Sequence, residues 1–391
     1  MSDITLQSTK VSPIALTLGD NSSIDEFVYS VKQNLPAISK HRQEIPLPSI
    51  ADFGASNVRV DLSKYGLVYS IIAKLTINIK GDDEQGTFEG FGFNCIREAR
   101  LQTQSKNLQT ITPMYNLSKV KELGHSAEAT IKELAGYESS AVVADTTLVV
   151  YVPLMFSFTA NGIGSWLDLE FLSQLSVSMD FEQSSNVLMV DADENKIDYS
   201  KSSLIVHYAN IDDDQYRALQ SQQFNLSSNK QLSYLWENVQ AETPVKGTAG
   251  SAIIPINCRN LIKRFNVRVV NVNEKASLGG NKIESIALYG NGREIVKYDT
   301  AEMILQQALQ SGIYGKREIR DTATVYTLDM SFGRDQSKAT GMISGKGVSS
   351  LELRIEYASS GGDDMVYVES TYYNIVSINS LDGRIQSSSN L

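Results

Sequence analysis

In the segment DADENKID, Asp191, Asp193 and Asn195 occupy alternate positions, the spacing with which a calcium loop begins. Such a loop needs a glycine at its sixth place, for the sharp turn, and a bidentate glutamate at its twelfth. Lys196 and Ser202 stand there instead, so the segment reads as a solvated acidic turn. A second acidic cluster, IDDDQYR (Ile211 to Arg217), could hold carboxylates for glycoside hydrolysis, which requires two acids facing each other across a cleft. Nothing in the spacing selects such a pair, and the favoured reading is a linker running into a helix start. GNGRE (Gly290 to Glu294) lacks the glycine spacing and the following helix of either nucleotide fingerprint. Its Asn-Gly pair predicts a hairpin turn. The three histidines, His41, His125 and His207, are far apart in sequence, so the commonest acid–base side chain is scarce. Cys95 and Cys258 are too few for a disulfide framework or a cysteine-rich zinc site, and read as small buried hydrophobes. We therefore assign no catalytic, metal or cofactor-binding residue and expect no cofactor.

Bulk properties narrow the classes further. A length of 391 residues suggests two to three domains. The formal net charge of −10 argues against a protein that coats nucleic acid, since affinity for phosphates comes from Lys and Arg. In the most apolar run, TTLVVYVPLMFSFTANG (Thr146 to Gly162), the apolar part from Leu148 to Phe158 is about half the ~20 residues a membrane span needs, and contains Pro153. The start, MSDITLQSTK, lacks the basic and apolar regions of a signal peptide, so a soluble chain without a recognisable secretion signal is expected.

The elements follow from periodicity. Residues 1–50 read as an arm. In SIDEFVYSVKQNLP, Ile24, Phe27, Val28, Val31 and Leu35 lie on one helical face, Ser23 and Glu26 form a capping box, and Pro36 ends the helix. ISKHRQEIPLPSI then reads as extended. Lys40 and Arg42, beside His41, form with Lys32 a small basic cluster that suits either anionic lipid headgroups or plain solvent. From about residue 55 the pattern is mostly strand. Leu75, Ile77 and Ile79 alternate with Thr76, Asn78 and Lys80; LSVSMDF, VYTLDMSF and LELRIEY alternate likewise. Helices interrupt at Pro113 to Gly136, split near Gly124, and at Asp299 to Gly312, where Ala301, Ile304, Leu305, Ala308 and Leu309 share a face.

The two halves of the chain repeat this order. Ile96, Ala99 and Leu101 match Ile283, Ile286 and Leu288 at an offset of 187. Thr147–Leu148 matches Thr327–Leu328 at 180, and Leu175, Val177, Met179 and Phe181 match Leu351, Leu353, Ile355 and Tyr357 at 176. Each half is a hairpin, a helical excursion, an apolar strand, a loop and an alternating strand. A repeat this long is the size of a domain. An antiparallel barrel with one enlarged loop accommodates it, so the fold class predicted is all-β: two tandem eight-stranded jelly rolls, with short helices in enlarged loops and an N-terminal helix. The domains are placed at 1–50 (arm), 51–210 (first jelly roll) and 211–391 (second jelly roll and tail). Whether the strand-rich tail GGDDMVYVESTYYNIVSINSL completes the second barrel or reaches a neighbour is open at this point.

The N-terminal arm, the VVYVPLMFSF strand after a helical excursion, the hairpin IESIALYGNGREIVKYDTAEMILQQAL leading into VYTLDMSFG, and the closing LELRIEYASS together resemble the double jelly-roll major capsid proteins of tailless icosahedral viruses with an internal membrane, of tectivirus and corticovirus type. The resemblance covers most of residues 20–360. It implies a structural virion protein and no enzyme, with homotrimers of pseudo-hexagonal outline tiling an icosahedral shell. It also implies partners: other copies and neighbouring capsomers, penton and membrane-associated minor proteins, and the viral membrane through the arm (Phe27, Val28, Val31, Lys32, Lys40, Arg42), with no direct nucleic-acid contact. Its location would be the capsid of a bacteriophage-type virion, after synthesis in the host cytoplasm. The apolar run would then be covered on both sides, with Val150, Val152, Leu154 and Phe156, together with Trp236, at barrel or subunit contacts. Two other classes remain at this stage: a glycan-cleaving enzyme on paired jelly rolls, and a minor virion or spike protein.

Overall fold

A computed structural model of the protein describes residues 38–64, 66–80, 85–103, 106–123, 125–138, 141–142, 146–159, 166–169, 174–189, 195–211, 231–272, 277–278, 280–310, 325–331, 341–359, 363–379 and 385–388. The expected arm helix, with Phe27, Val28, Val31 and Lys32, lies outside these residues, as do the acids Asp191, Asp193, Glu194 and Asp212 to Asp214.

Among the described residues, eight strands longer than two residues build the first half: β1 (Ile38–Pro46), β2 (Val58–Asp61), β3 (Leu67–Asn78), β4 (Ile96–Gln102), β5 (Asn107–Ile111), β6 (Thr147–Pro153), β7 (Ser176–Phe181) and β8 (Ser203–Ile211). They pair antiparallel in two sheets, ordered β1-β8-β3-β6 and β2-β7-β4-β5. The second half has β9 (Gln231–Ala241), β10 (Ser251–Pro255), β11 (Leu261–Asn271), β12 (Ile283–Gly290), β13 (Arg293–Asp299), β14 (Tyr326–Asp329), β15 (Leu351–Tyr357) and β16 (Asp364–Asn379). Their orders are β9-β16-β11-β14 and β10-β15-β12-β13. Strand for strand the two halves pair alike, which makes two jelly rolls in tandem. The tail question is answered by β16, which lies between β9 and β11 and completes the second barrel. At the other end, Ile38–Pro46 pairs along its whole length with Ser203–Ile211. Lys40 and Arg42 therefore sit on a strand of the first barrel and not on a free arm, because the backbone there finds its hydrogen-bond partners in β8.

The register reproduces the sequence repeat. Met179 stands opposite Ala99 and Val177 opposite Leu101; Ile355 stands opposite Ile286 and Leu353 opposite Leu288. Both ladders bulge at the equivalent residue, Arg97 in one and Glu284 in the other. The third match shifts. The central ladders also share a bulge, at Tyr69 in β3 and at Lys263 in β11, which equates Ala73 with Val267. Val152 faces Ala73 and Tyr326 faces Val267, so β6 and β14 correspond at an offset of 174 (326 minus 152) and not 180. An even slip keeps the same side chains inward, so the hydrophobic pattern cannot detect it.

Alternation sets the two cores. LELRIEY buries Leu351, Leu353, Ile355 and Tyr357 and leaves Arg354 and Glu356 exposed. In β7 and β14 both faces are buried, the polar one included, because something covers the outer side. The helices form as α1 (Pro113–Glu122), α2 (His125–Leu134) and α3 (Thr300–Gln310). Thr112 caps α1 by accepting from the Tyr115 amide, and Gly136 ends the excursion with φ of +62°. On α3 the buried face differs from the expected one. Met303 and Ile304 enter the second core, whereas Ala301 is exposed and Leu305 is 63% exposed. At about 100° per residue, docking Met303 inward turns Leu305 out.

Candidate functional site

The described residues bring the apolar run, α1 and Trp236 together where the two barrels meet. Within β6 Val150 and Val152 point into the core, with Leu148 packed against it; Val149 and Tyr151 are 43% and 37% exposed. The described residues of the chain therefore cover only one side of residues 147–153. Pro153 cannot donate to a ladder and ends the strand. Beyond it Leu154, Met155, Phe156 and Phe158 are all buried. Asn116 of α1 holds this turn, donating to the Pro153 carbonyl at 2.7 Å and accepting from the Met155 amide at 2.9 Å. The Phe158 ring packs 6.3 Å from that of Trp236, which comes from β9 of the second barrel yet belongs to the core of the first. Leu278 crosses in the same direction. Its side chain occupies the space where a Cβ on Gly90 would fall, and its amide donates to the Glu89 carbonyl at 2.9 Å.

Helix α1 fills the rest of the contact. Its face toward the second barrel carries Tyr115, Ser118, Lys119 and Glu122, all of which reach groups of that barrel. Lys119 pairs with Glu122 at 2.7 Å and with Glu237 of β9 at 3.2 Å; Lys263 pairs with Glu237 at 2.5 Å. Arg264 pairs with Glu122 and lies 3.7 Å from Asp329 of β14. Three cations and three carboxylates thus close a buried, balanced network. Burial by itself would raise the carboxyls of Glu122 and Glu237. The surrounding Arg264, Lys119 and Lys263 outweigh it and hold both below the usual carboxylate range. Lys121 donates to the Val325 carbonyl at 3.0 Å.

Glu369 of β16 lies at the edge of this contact. Thr112 donates to it at 2.7 Å. Burial pushes its carboxyl up to about 7, although the Thr112 bond and the nearby Arg268 cation oppose the shift. A Thr–Glu bond therefore ties the start of α1 to the second barrel, and its charge changes near neutral pH.

Sequence reasoning missed this network. From periodicity, Lys119 and Glu122 have no assigned role in the helical segment Pro113 to Gly136. The visible signal was the adjacent cations Lys263 and Arg264 in the strand LIKRFNVRVVN. Strict alternation would send one of the two inward. The bulge at Lys263 re-aims it, so both cations reach carboxylates on the same side.

Among the described residues, no catalytic constellation forms around the remaining candidates. Of the acidic turn, Asn195 accepts from the Lys80 amide at 2.9 Å and Asp198 accepts from Ser200, as ordinary turn groups. Asn291 and Gly292 have φ of +52° and +73°, as the hairpin turn requires. His207 stacks 5.9 Å from Tyr69; burial, then the Arg42 cation, lowers its imidazole below the usual value. The Cys95 and Cys258 thiols are buried and unbridged, and burial pushes that of Cys258 up to about 11. An open groove of 480 Å³ crosses the outer face of the first sheet, lined by Glu44, Lys74, Thr147, Val149, Lys201 and Ser203 among others. Its one carboxyl, on Glu44, is held down to about 2, first by the Ser203 hydroxyl and then by Arg42. It is ionised at ordinary pH and has no second acid beside it in the groove, which is not the arrangement of a glycosidase. Among the described residues no group of His, Cys, Asp and Glu could hold a metal ion.

No protein-family model matches the sequence, and no curated protein matches it. Solved structures do resemble the fold. VP54 of PBCV-1, as fitted into a reconstruction of the virophage Sputnik, has a TM-score of 0.72 at 14% identity, covering 93% of this chain and 99% of that one. The Faustovirus major capsid protein has a TM-score of 0.63 at 8% identity over 89% of this chain and 92% of its own. The STIV major capsid protein has a TM-score of 0.55 at 11% identity over 86% of this chain and 96% of its own. At these identities the likeness is one of fold, and it agrees with the strand-by-strand pairing: the chain is a double jelly roll, built like these viral major capsid proteins.

Proposed function

We propose that the protein is a structural virion protein, the major capsid protein of an icosahedral shell, and that it is not an enzyme. The observation that carries this reading is the complete double-barrel arrangement, similar to VP54 over 93% of this chain and 99% of that one. The inter-barrel network supports it as well. It sits where no substrate can reach and holds two barrels as one block, which suits a shell unit. The working form is a homotrimer with a pseudo-hexagonal outline, in which each copy supplies two of six barrels. Copies then tile against one another and against penton and minor membrane-associated proteins. Residues 1–37, with Phe27, Val28, Val31 and Lys32 on one helical face, lie toward an internal membrane in this reading. Lys40 and Arg42 belong instead to the barrel wall. The test is the native mass by light scattering, followed by negative-stain images. A particle of three times 43.1 kDa with a six-sided outline is expected. A stable monomer at the concentrations of assembly would overturn the reading.

A further inference from the structure

The duplicated barrels present equivalent surfaces, and only one of the two is covered by the described residues of the chain. The outer face of the second barrel's β9-β16-β11-β14 sheet is buried under α1 of the first. The shared bulges fix the counterparts on the first barrel. Asn266 of β11 corresponds to Ile72 of β3 at an offset of 194, and Glu237 of β9 to Lys40 of β1 at 197. Lys40 is exposed, Ile72 is half-buried, and Tyr151 and Val149 beside them on β6 are exposed.

The helix that would cover such a face also has a counterpart. Ile111 stands opposite Ala99 as Tyr298 stands opposite Ile286, so α1 corresponds to α3 at an offset of 187. Ser118, which bonds Asn266 at 3.5 Å, becomes Leu305; Tyr115, whose hydroxyl donates to Glu237 at 3.4 Å, becomes Glu302. Both α3 residues are exposed, and no element in the described chain covers that side of the helix.

We propose that α3 of one copy docks on the outer face of the first barrel of a second copy, with Leu305 over Ile72 and Glu302 beside Lys40. A polar contact inside the chain (Ser118 with Asn266) is replaced between chains by an apolar one. The hydroxyl–carboxylate contact of Tyr115 with Glu237 is replaced by an ion pair of opposite charges. The contact is head-to-tail, so it closes into a ring when the rotation permits. Three such contacts alternate with three inter-barrel contacts around six barrels. The proposal rests on the assembly of copies proposed above and names the residues that carry it.

Two experiments on the full chain test it. In the first, Ile72→Cys and Leu305→Cys are combined and oxidised; the native thiols are buried and do not compete. Covalent dimers and trimers are expected from the double variant and from neither single one. In the second, Glu302→Lys or Lys40→Glu is expected to weaken self-association by about tenfold through like-charge repulsion, and the double reversal to restore it. A wild-type trimer that neither cross-links through this pair nor responds to the charge reversals would sink the docking proposal and leave the capsid reading standing. A wild-type monomer would remove both. Ile72→Cys carrying a photo-cross-linker identifies the occupant. Attachment to the α3 peptide of another chain supports the proposal; attachment to residues 1–37, or within one chain to α3, overturns it.

Discussion

Arg264 shows how much of this molecule depends on single buried charges. It is enclosed with Glu122 and Asp329, and its neighbours in the network are equally enclosed. Breaking a buried pair costs more than the pair contributes, because the remaining charge keeps its desolvation penalty without a counter-ion. Arg264→Met is therefore expected to lower unfolding free energy by about 3–5 kcal/mol in urea titrations. Adding Glu122→Met should recover part of that loss, since it removes the stranded carboxylate; equal or greater destabilisation would mean the two groups do not act as a pair. Glu369 works with the opposite sign. Its folded carboxyl is raised to about 7 from an ordinary 4.5, so the folded state holds its proton longer than the unfolded chain does. Stability is full below pH 4.5, falls as pH rises through the window up to about 7, and levels off above it, by an amount on the order of 3 kcal/mol. Glu369→Gln should flatten that part of the stability–pH profile. An unchanged slope would assign the dependence to another group.

At the scale of elements, the same excursion is used twice for different purposes. After β5 it yields α1, buried on both sides and capped by Thr112; after β13 it yields α3, buried on one side. Thr112→Ala removes the cap and the Glu369 bond together, and should cost at least ~1 kcal/mol by thermal denaturation. The two faces of α3 separate more sharply. Met303→Ala opens a cavity in the second core and should cost about 2–5 kcal/mol. Leu305→Ala should change the stability of the isolated chain by less than about 0.5 kcal/mol. Comparable losses from both substitutions would mean that Leu305 is covered within its own chain.

For the whole molecule, the inter-barrel contact decides whether the chain behaves as one unit or two. Trp236, Leu278, Val325 and Val376 come from the second half but join the first core, and the ion network lies beside them. Calorimetry should give a single transition for both barrels, with Trp236→Ala lowering it as one peak. Two resolved transitions in the wild type would show that each barrel is stable without its neighbour. Much of this architecture was legible beforehand. Period-two alternation fixed which side chains face each core, because a strand can present a residue only up or down. The repeat of hairpin, helix and strand announced two like barrels, and its matches reappear as paired residues such as Met179 with Ala99 and Ile355 with Ile286. The even slip between β6 and β14 escaped because it leaves the pattern unchanged. Which element or chain would cover the outer side of the apolar run was not legible either, since Val149 and Tyr151 look no different in sequence from Val150 and Val152. The buried charges escaped for a deeper reason. A lysine on a helix carries no mark of what lies opposite, and its environment exists only after two distant segments meet. The chain's own sequence determined the elements, the inward faces of the strands and their duplication, through local sterics and hydrophobic period. The tertiary structure decided which outer faces are covered, because that depends on how one barrel is set against another.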